Sequence, residues 1–315
     1  MKVMAFNARP DERAFFDHFS QSLNMDLTLQ KDTLTLDNVA LTRGYDGISC
    51  TCDLPAPILE KLAENGVRYV ALRTIGYDNV DLKAAERLGI RVSHAGYSPY
   101  AVSNYTVMLM LMCIRKAGYI MFRSHTADYS LGASGAARGM EMQNLTVGVI
   151  GTGRIGKGVI QRASGFQMKV LAYDAYPDEA FVSAHGGQYV DLDTLFRESD
   201  FITLHCPLNE ETRNMVDAKR LAEMKPKAVL VNTARGGIID EAALYEALRT
   251  GEIGAAGLDA TEVEPACGSP LATLPNCILT PHAGAATYEA GYNMGMMAAQ
   301  NALDVLNGRD CSYLV

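Results

Sequence analysis

Short apolar runs alternate with helix-spaced apolar positions along the first hundred residues. The runs predicted to be strands cover residues 3–6, 27–29, 47–52, 67–72 and 90–92. Between them, apolar side chains recur at helical spacing over residues 12–23, 59–65 and 82–88. Because strands that alternate with helices form parallel sheets, this region predicts a parallel sheet covered by helices.

The next segment differs, because residues 101–123 contain good helix formers and no proline. We expect one helix of about 20 residues, roughly 30 Å long. Its apolar character extends round the whole helix between Val107 and Ile114, which predicts burial between domains or subunits. Residues 124–144 then become polar and small, and we expect an irregular arm there.

Strand and helix patterns resume at Thr146 and continue in strict succession. Strands are predicted over residues 147–150, 169–173, 201–204, 229–232, 255–258 and 278–280, and helices over residues 155–166, 192–198, 218–224, 241–250 and 288–306. This succession is typical of a doubly wound domain. Taken with the first hundred residues, it predicts an α/β protein of two Rossmann-like or flavodoxin-like doubly wound parallel-sheet domains, with a cleft between them.

The first strand of the second region runs into a glycine pattern, Gly151-Thr152-Gly153-Arg154-Ile155-Gly156, which matches G-x-G-x-x-G. Such a match is weak by itself, but here a strand precedes it and a helix follows it. In a dinucleotide site Gly151 allows a tight turn, Gly153 lets the backbone approach the pyrophosphate, and Gly156 lets helix and strand pack closely. The helix N-terminus, with Arg154 and Ile155, offers unpaired N–H groups to the phosphates.

An acidic residue, Asp174, ends the strand that follows this helix. It lies 23 residues after Gly151, near the spacing of the carboxylate that binds the adenosine ribose. The same carboxylate would repel a 2′-phosphate, and residues 175–177 contain no Arg or Lys to neutralise one. We therefore expect NAD rather than NADP. The alternative for Asp174 is a strand-end carboxylate that caps a turn.

Three later segments place polar residues just after predicted strands, where open α/β sheets bind ligands. These segments are residues 231–237 (VNTARGG), 257–265 (GLDATEVEP) and 279–287 (LTPHAGAAT). Together with residues 76–82, 97–99 and 204–208, they make the chain similar to the D-2-hydroxyacid dehydrogenase family over almost its whole length. Within that family, residues 105–112 resemble the D-lactate dehydrogenase branch.

The chemistry of such a reaction needs the residue types that these segments supply. Arg235 can bind the carboxylate of a 2-oxo acid with two parallel hydrogen bonds, which orients the ketone for hydride transfer. His282 is suited to donate a proton to the carbonyl oxygen. Glu264 would hydrogen-bond the other ring nitrogen of His282 and favour the protonated imidazole. These three residues are the predicted catalytic set.

The resemblance implies further contacts. It places the backbone N–H groups of Ile75 and Gly76, with Tyr97, on the substrate carboxylate opposite Arg235. It adds Cys206, Pro207, Thr233, Ala234 and Asp259 to the cofactor-binding residues, with Asp259 near the nicotinamide or the histidine. The chain departs from the family at Asn104, where an acid is usual, and at Ala285, where lactate-type members have an aromatic residue. A small residue at position 285 could widen the substrate pocket.

The domain boundaries also follow the resemblance. We expect a discontinuous substrate domain of residues 1–96 plus 286–315, and an NAD-binding domain of residues 97–285. The apolar segment 101–123 would leave apolar surface exposed in a monomer, so a homodimer is expected.

Composition limits the partners. The chain has 315 residues, 28 Lys and Arg against 36 Asp and Glu, and a net charge of −8, which argues against nucleic acid and anionic membranes as partners. Seven cysteines, an odd number with no zinc-site spacing, predict reduced thiols in the cytoplasm and no metal. The N-terminal apolar run is too short for a signal peptide, and no run reaches the roughly 20 residues of a membrane span.

The leading hypothesis is therefore an NAD-dependent oxidoreductase that reduces a small 2-oxo acid, such as pyruvate, to the D (R) 2-hydroxy acid. D-lactate dehydrogenase is the favoured activity, and dehydrogenases of (R)-2-hydroxyisocaproate or of aromatic 2-hydroxy acids are the alternatives. An NAD(H)-sensing binding module with the same fold is a hypothesis of a different class. Oxidation of phosphoglycerate or formate is a third hypothesis, although no basic cluster for a phosphate is evident.

Overall fold

The computed structural model describes residues 2–96, 98–130 and 137–315. The chain forms two compact units, which we call the first unit (Met1–Ser98 and Ala286–Val315) and the second unit (Pro99–Ala285). Each unit is built round one parallel sheet. The predicted α/β class with two doubly wound parallel-sheet domains is therefore confirmed, whereas the cleft and the division of roles between the domains stay predictions.

The sheet of the first unit has the strand order β2-β1-β3-β4-β5. Its strands are β1 (Lys2–Ala5), β2 (Asp26–Leu29), β3 (Gly47–Cys50), β4 (Tyr69–Leu72) and β5 (Arg91–Ser93), and its helices are α1 (Arg13–Ser22), α2 (Ala56–Glu64), α3 (Leu82–Arg87) and the C-terminal helix (Tyr288–Leu306). Alternate residues of β4 enter different cores. Val70 packs with residues of α2 and α3, whereas Tyr69 packs with Ala298 of the C-terminal helix.

The sheet of the second unit has the order β12-β11-β10-β9-β6-β7-β8. Its strands are β6 (Thr146–Ile150), β7 (Lys169–Tyr173), β8 (Gly187–Tyr189), β9 (Phe201–Leu204), β10 (Val229–Asn232), β11 (Ala255–Leu258) and β12 (Cys277–Leu279). Its helices are α4 (Tyr100–Ile114), α5 (Ala117–His125), α6 (Arg154–Gly165), α7 (Glu179–Ala184), α8 (Leu192–Glu198), α9 (Ala218–Glu223) and α10 (Glu241–Thr250). The strand order reverses between β6 and β9, which is the topological position where such sheets bind ligands.

Local signals explain where many of these helices start. An Asp side chain accepts a hydrogen bond from the backbone N–H three residues later at the start of α3, α7, α8, α9 and α10, and the residues are Asp81, Asp178, Asp191, Asp217 and Asp240. This contact satisfies an N–H group that has no partner within the helix. Gly251, with a φ of 76°, ends α10 in the left-handed conformation that glycine favours.

The single helix predicted over residues 101–123 is wrong. Lys116 has a φ of 54°, and this left-handed residue separates α4 from α5, whose axes differ in direction by 68°. Within one chain α5 has no buried residue and Met108 of α4 is 38% exposed, so the predicted burial between domains or subunits stays a prediction. The pattern also failed to predict the short elements α7 and β8. Residues 126–130 and 137–145 contain no helix or strand, and residues 131–136 of the predicted arm lie outside the described residues.

No single helix in the described part of the chain has the length and apolar composition of a membrane span. Among the helices of the described residues, only α4 and α5 taken together, across their 68° bend, reach that length and composition.

Candidate active site

Three loops at the carboxyl end of the second sheet carry the predicted reacting side chains. β10, β11 and β12 are adjacent parallel strands, so the loops that follow them leave the same edge of the sheet. Arg235 follows β10, Glu264 follows β11 and His282 follows β12. The three loops predicted to carry polar residues after strands therefore leave the sheet at one edge.

The pair formed by His282 and Glu264 is the central contact. Nδ1 of His282 lies 3.0 Å from Oε1 and 2.9 Å from Oε2 of Glu264. An ionised carboxylate can only accept, so Nδ1 is the donor. Nε2 of His282 makes no hydrogen bond to any residue that the structure describes. This arrangement leaves Nε2 as the ring nitrogen that can exchange a proton with a bound molecule.

Asp259 fixes the loop that carries His282. This residue is 3% exposed, and its Oδ1 accepts from the hydroxyl of Thr280 at 2.6 Å and from the N–H of Ala283 at 2.8 Å. Its Oδ2 accepts from the N–H of Gly284 at 2.7 Å. His282 itself has a φ of 52°, a conformation that non-glycine residues hold only when their surroundings impose it. The contacts support the predicted role of Asp259 in the environment of the histidine.

Asn232 performs the same task for the loop that carries Arg235, and the predicted site residues do not include it. Its side chain is fully buried, and Nδ2 donates to the carbonyl oxygen of Arg235 at 2.8 Å and to that of Ala260 at 3.4 Å. Its Oδ1 accepts from the N–H of Ala234 at 3.0 Å. One amide side chain therefore joins the loops after β10 and β11. An Asn at the end of a buried strand was the available signal.

Close packing between these two loops adds a second restraint. A Cβ at Gly236 would lie 2.0 Å from the carbonyl carbon of Thr261, so only glycine fits there. Glu241 accepts a hydrogen bond from the N–H of Glu262 at 2.6 Å. The pKa of Glu241 is raised, first by burial and then by the nearby charges of Glu262 and Glu264. Both contacts hold the part of the loop just before Glu264, at Thr261 and Glu262.

Thr233, a predicted cofactor residue, uses its hydroxyl within the protein. This hydroxyl lies 2.9 Å from that of Thr106 on α4, and both side chains are buried. The hydroxyl of Thr106 also donates to the carbonyl oxygen of Val102 at 2.9 Å. Helix α4 therefore supports the loop that contains Thr233, Ala234 and Arg235.

The glycine pattern has the geometry of a phosphate-binding turn. Gly151 has a φ of 91°, and a Cβ there would lie 2.6 Å from the backbone nitrogen of Cys206. A Cβ at Gly156 would lie 2.0 Å from the carbonyl oxygen of Gly151, whereas one at Gly153 would meet no atom within 4 Å. Helix α6 begins at Arg154, so its first N–H groups, including that of Ile155, face the open space beside Gly153. These residues fit a dinucleotide.

Asp174 is held beside this turn. Its Oδ2 accepts from the N–H and, at 3.0 Å, from the hydroxyl of Thr152, and its Oδ1 accepts from the N–H of Tyr176 at 2.8 Å. The carboxylate thus has a fixed orientation and keeps lone pairs for further donors. A half-buried carboxylate beside the phosphate-binding turn fits the ribose hydroxyls of NAD.

The turn after β9 contains His205 and Cys206. The imidazole of His205 and the thiol of Cys206 are both uncharged at neutral pH. Burial lowers the pKa of His205 to about 3, and its Nε2 lies 2.8 Å from the hydroxyl of Thr203. Burial raises the pKa of Cys206 to about 11. Cys206 is therefore a thiol at neutral pH, which argues against a nucleophile. Its predicted cofactor contact, and that of Pro207, would use the backbone.

The first unit contains the predicted substrate loop. The hydroxyl of Thr74 donates to the carbonyl oxygen of Gly76 at 2.7 Å, which closes a tight turn. The N–H groups of Ile75 and Gly76 donate to no acceptor among the described residues. Two adjacent, unused N–H groups fit an anion. Tyr97, the third predicted substrate residue, lies outside the described residues.

All seven cysteines are free. Within residues 2–96, 98–130 and 137–315, no group of three His, Cys, Asp or Glu side chains is arranged to hold a metal ion.

Comparison with known proteins identifies the family. The NAD binding domain model of the D-isomer specific 2-hydroxyacid dehydrogenases matches residues 107–284. The chain belongs to this family. The dehydrogenase is 38% identical to an aromatic 2-oxoacid reductase of Clostridium sporogenes, across 96% of this chain and 95% of the relative.

Solved structures agree with this assignment. The apo structure of D-lactate dehydrogenase from Escherichia coli has a TM-score of 0.91 and 33% identity, with both chains fully covered. D-lactate dehydrogenase with NAD⁺ from Lactobacillus jensenii has a TM-score of 0.84 and 32% identity, over 100% of this chain and 99% of the other. The predicted family, its resemblance to the D-lactate dehydrogenase branch, the oxidoreductase class and the cofactor NAD are confirmed.

Proposed function

We propose that this dehydrogenase reduces a small 2-oxo acid of the pyruvate type to the D (R) 2-hydroxy acid, with NADH as the reductant. The contact between Nδ1 of His282 and the carboxylate of Glu264, at 2.9 and 3.0 Å, is the observation that carries the proposal. It supplies an oriented imidazole whose second nitrogen makes no hydrogen bond to the described residues. An oriented acid is what reduction of a ketone requires.

Binding of the substrate carboxylate is assigned to two kinds of donor. The guanidinium of Arg235 forms paired hydrogen bonds to a carboxylate, which fix both its position and its plane. The N–H groups of Ile75 and Gly76, with Tyr97, bind the same group. Since the ketone is bonded directly to the carboxylate, fixing one fixes the other, and this orientation lowers the entropic part of the barrier.

Proton transfer is assigned to His282. NADH, when bound by the glycine turn and Asp174, supplies the hydride that is added to the carbonyl carbon. Protonated His282 donates the proton at Nε2 to the carbonyl oxygen, which becomes the hydroxyl of the product. Glu264 keeps Nδ1 as a donor throughout and balances the positive charge of the ring before the transfer. The neutral ring then takes a proton from solvent.

A larger substrate is the second candidate. Ala285 stands where lactate-type members have an aromatic side chain, and a small residue leaves room for a branched or aromatic substituent. The 38% identity to an aromatic 2-oxoacid reductase favours the same candidate. The two candidates differ only in the substituent on the 2-oxo acid, so one assay separates them.

The test is a substrate panel. The protein is mixed with NADH and with pyruvate, 2-oxoisocaproate, phenylpyruvate or hydroxypyruvate, and the loss of NADH absorbance is followed. We expect turnover with pyruvate; a kcat/KM that is higher for phenylpyruvate or 2-oxoisocaproate would transfer the proposal to the second candidate. No turnover with any member would leave the NAD(H)-sensing module. Chiral analysis of the product should give the D isomer.

We also propose a homodimer in the cytoplasm. Helix α5 has no buried residue, and Met121 and Phe122 are 55% and 70% exposed. Apolar side chains clustered on one helix usually contact a partner, and a second copy of the chain in a symmetric pair is the commonest one. Light scattering should give twice the mass of the chain, and Phe122→Glu should shift the equilibrium towards the monomer. A monomeric wild-type protein would contradict this proposal.

A further inference from the structure

Arg73 is a buried cation at the carboxyl end of β4. Its side chain is 3% exposed, and its Nη2 donates to the carbonyl oxygens of Phe6 at 2.7 Å and Asn7 at 3.2 Å. Its Nη1 donates to the hydroxyl of Ser49 at 3.2 Å. These acceptors follow β1 or lie on β3, so one guanidinium joins the carboxyl ends of three neighbouring strands.

The charge of Arg73 is not neutralised by direct contact. No carboxylate lies within ion-pair distance of it in the described part of the chain, and the ring of Phe16 is stacked 5.3 Å from the guanidinium carbon. Burial lowers the pKa of Arg73, and the charge of Glu12 partly opposes that effect. A buried charge held only by neutral acceptors costs stability, so its retention calls for a role that a neutral residue could not fill.

A donor of Arg73 also remains unused. Nε is buried and has no hydrogen-bond partner among the described residues. Buried donors without a partner are rare, and each one has a reason such as a bound water or ligand, or a functional strain. A positive charge with no carboxylate in contact and an unused donor both favour an anion near this end of the sheet.

The proposed carboxylate-binding loop begins at the residue after Arg73. The N–H of Arg73 donates to the carbonyl oxygen of Cys50 at 2.9 Å, which continues the pairing of β4 with β3. The carbonyl oxygen of Thr74 then accepts from the N–H of Ala95 at 2.9 Å, and the hydroxyl of Thr74 donates to the carbonyl oxygen of Gly76. The start of the turn is therefore fixed on both sides, and the guanidinium fixes the strand ends beneath it.

We propose that Arg73 is a positioning residue for the 2-oxo acid site, which holds the loop of Ile75 and Gly76 in its anion-binding form and adds a buried positive charge to the field that the substrate carboxylate meets. This inference rests on the proposed function, because it assigns the loop to the substrate carboxylate. This role of Arg73 differs from a purely structural one, because it affects the binding of the anion and not turnover or the binding of NADH.

The experiment compares Arg73→Met and Arg73→Lys with Arg68→Met. Arg68 is the matched control, since it precedes the same strand and pairs with Asp46 on the surface, with its side chain 71% exposed. For each variant we measure kcat and KM for the 2-oxo acid, the Kd of NADH by fluorescence, and the Kd of two pyruvate isosteres, the anion oxamate and the neutral pyruvamide.

The expected result for Arg73→Met is a rise in KM and in the oxamate Kd of about tenfold or more, the size of a lost interaction with a charged group. The Kd values of pyruvamide and NADH should stay near the wild-type values, and kcat should change much less than KM. Arg73→Lys keeps the charge but not the fork of donors, so it should give an intermediate rise. Arg68→Met should behave as wild type.

Other outcomes overturn the inference. Equal losses of oxamate and pyruvamide binding, or an unchanged KM, would mean that Arg73 only supports the sheet. If Arg73→Met does not fold, Arg73→Lys and Ser49→Ala decide by the same ratio of oxamate to pyruvamide binding. Failure of the wild-type enzyme in the substrate panel would instead defeat the proposed function, so the two failures are distinguishable.

Discussion

The two units hold the loops at the carboxyl ends of their sheets with opposite charges. In the second unit the buried carboxylate of Asp259 accepts hydrogen bonds from backbone N–H groups of the loop that carries His282. The neutral amide of Asn232 lies beside it and both accepts from and donates to backbone groups. In the first unit the buried guanidinium of Arg73 joins the strand ends by donating to carbonyl oxygens. The same topology is therefore locked in two chemically different ways.

This difference corresponds to the groups that the carboxyl end of each sheet presents. The second unit must orient side chains, and a buried carboxylate can hold several N–H groups of the loop that carries His282 without approaching the ring. The first unit presents backbone N–H groups, and under the proposed function a carboxylate there would compete with the anionic substrate for them. A buried cation holds the same kind of loop and leaves the N–H groups free for an anion.

The sharpest test of the site at the carboxyl end of the second unit's sheet is His282→Asn. Loss of the proton donor should reduce kcat for 2-oxo acid reduction by about 10²–10⁴-fold. The Kd of NADH should remain near wild type, because the glycine turn and Asp174 are unchanged. Stopped-flow assays and fluorescence titration measure the two quantities. Equal losses of kcat and of NADH affinity would contradict the role of His282 as the acid.

A second test breaks the lock between the loops after β10 and β11. Asn232→Asp removes the donor to the carbonyl oxygens of Arg235 and Ala260 and places a charge in a buried position. We expect a rise in KM for the 2-oxo acid of roughly tenfold or more, since an unsatisfied buried group costs about 1–3 kcal/mol. Asn276→Asp is the control, because Asn276 makes similar bonds to Leu248 and Gly254 away from the three loops. A KM that changes equally in both variants would argue against a specific lock.

The pH profile tests the contact between Glu264 and His282. The carboxylate orients the ring and balances its positive charge, so in Glu264→Gln the rate of reduction should begin to fall at a lower pH than in wild type. The control is Glu262→Gln, a neighbouring acid that does not contact the ring. A profile that does not move in Glu264→Gln would remove the pair from the mechanism.

Local patterns were enough to predict the glycine turn and every strand except β8. The family resemblance pointed to Arg235, Glu264 and His282, whose roles stay predictions. Each of these depends on a short repeat or on a place just after a strand. The break at Lys116 was not predictable, because a left-handed lysine has no distinct sequence signal. The contacts of Asn232 and Arg73 were not predictable either, since Asn232 contacts Ala260 at a separation of 28 residues and Arg73 contacts Phe6 at a separation of 67.

The smallest effect on turnover, and a distinct effect on stability, is expected for His205→Asn. The pKa of His205 is about 3 in the folded chain and near 6.5 when unfolded, so between these values the unfolded state binds more protons. Stability must therefore rise with pH across this window and be lost as the pH falls, by up to about 1.4 kcal/mol per pH unit from this one group. In His205→Asn the decrease of Tm from pH 6.5 to pH 4.5 should be smaller than in wild type, while kcat at pH 7 changes little because the ring is already neutral there.

His185→Asn serves as the control for a histidine that contacts the carbonyl of Phe181 at the surface of α7. If the wild-type and His205→Asn curves stay parallel, the pKa of His205 does not change on folding. The ring would then be charged only below about pH 6.5, and in that range the second sheet would carry a cation beside the glycine turn.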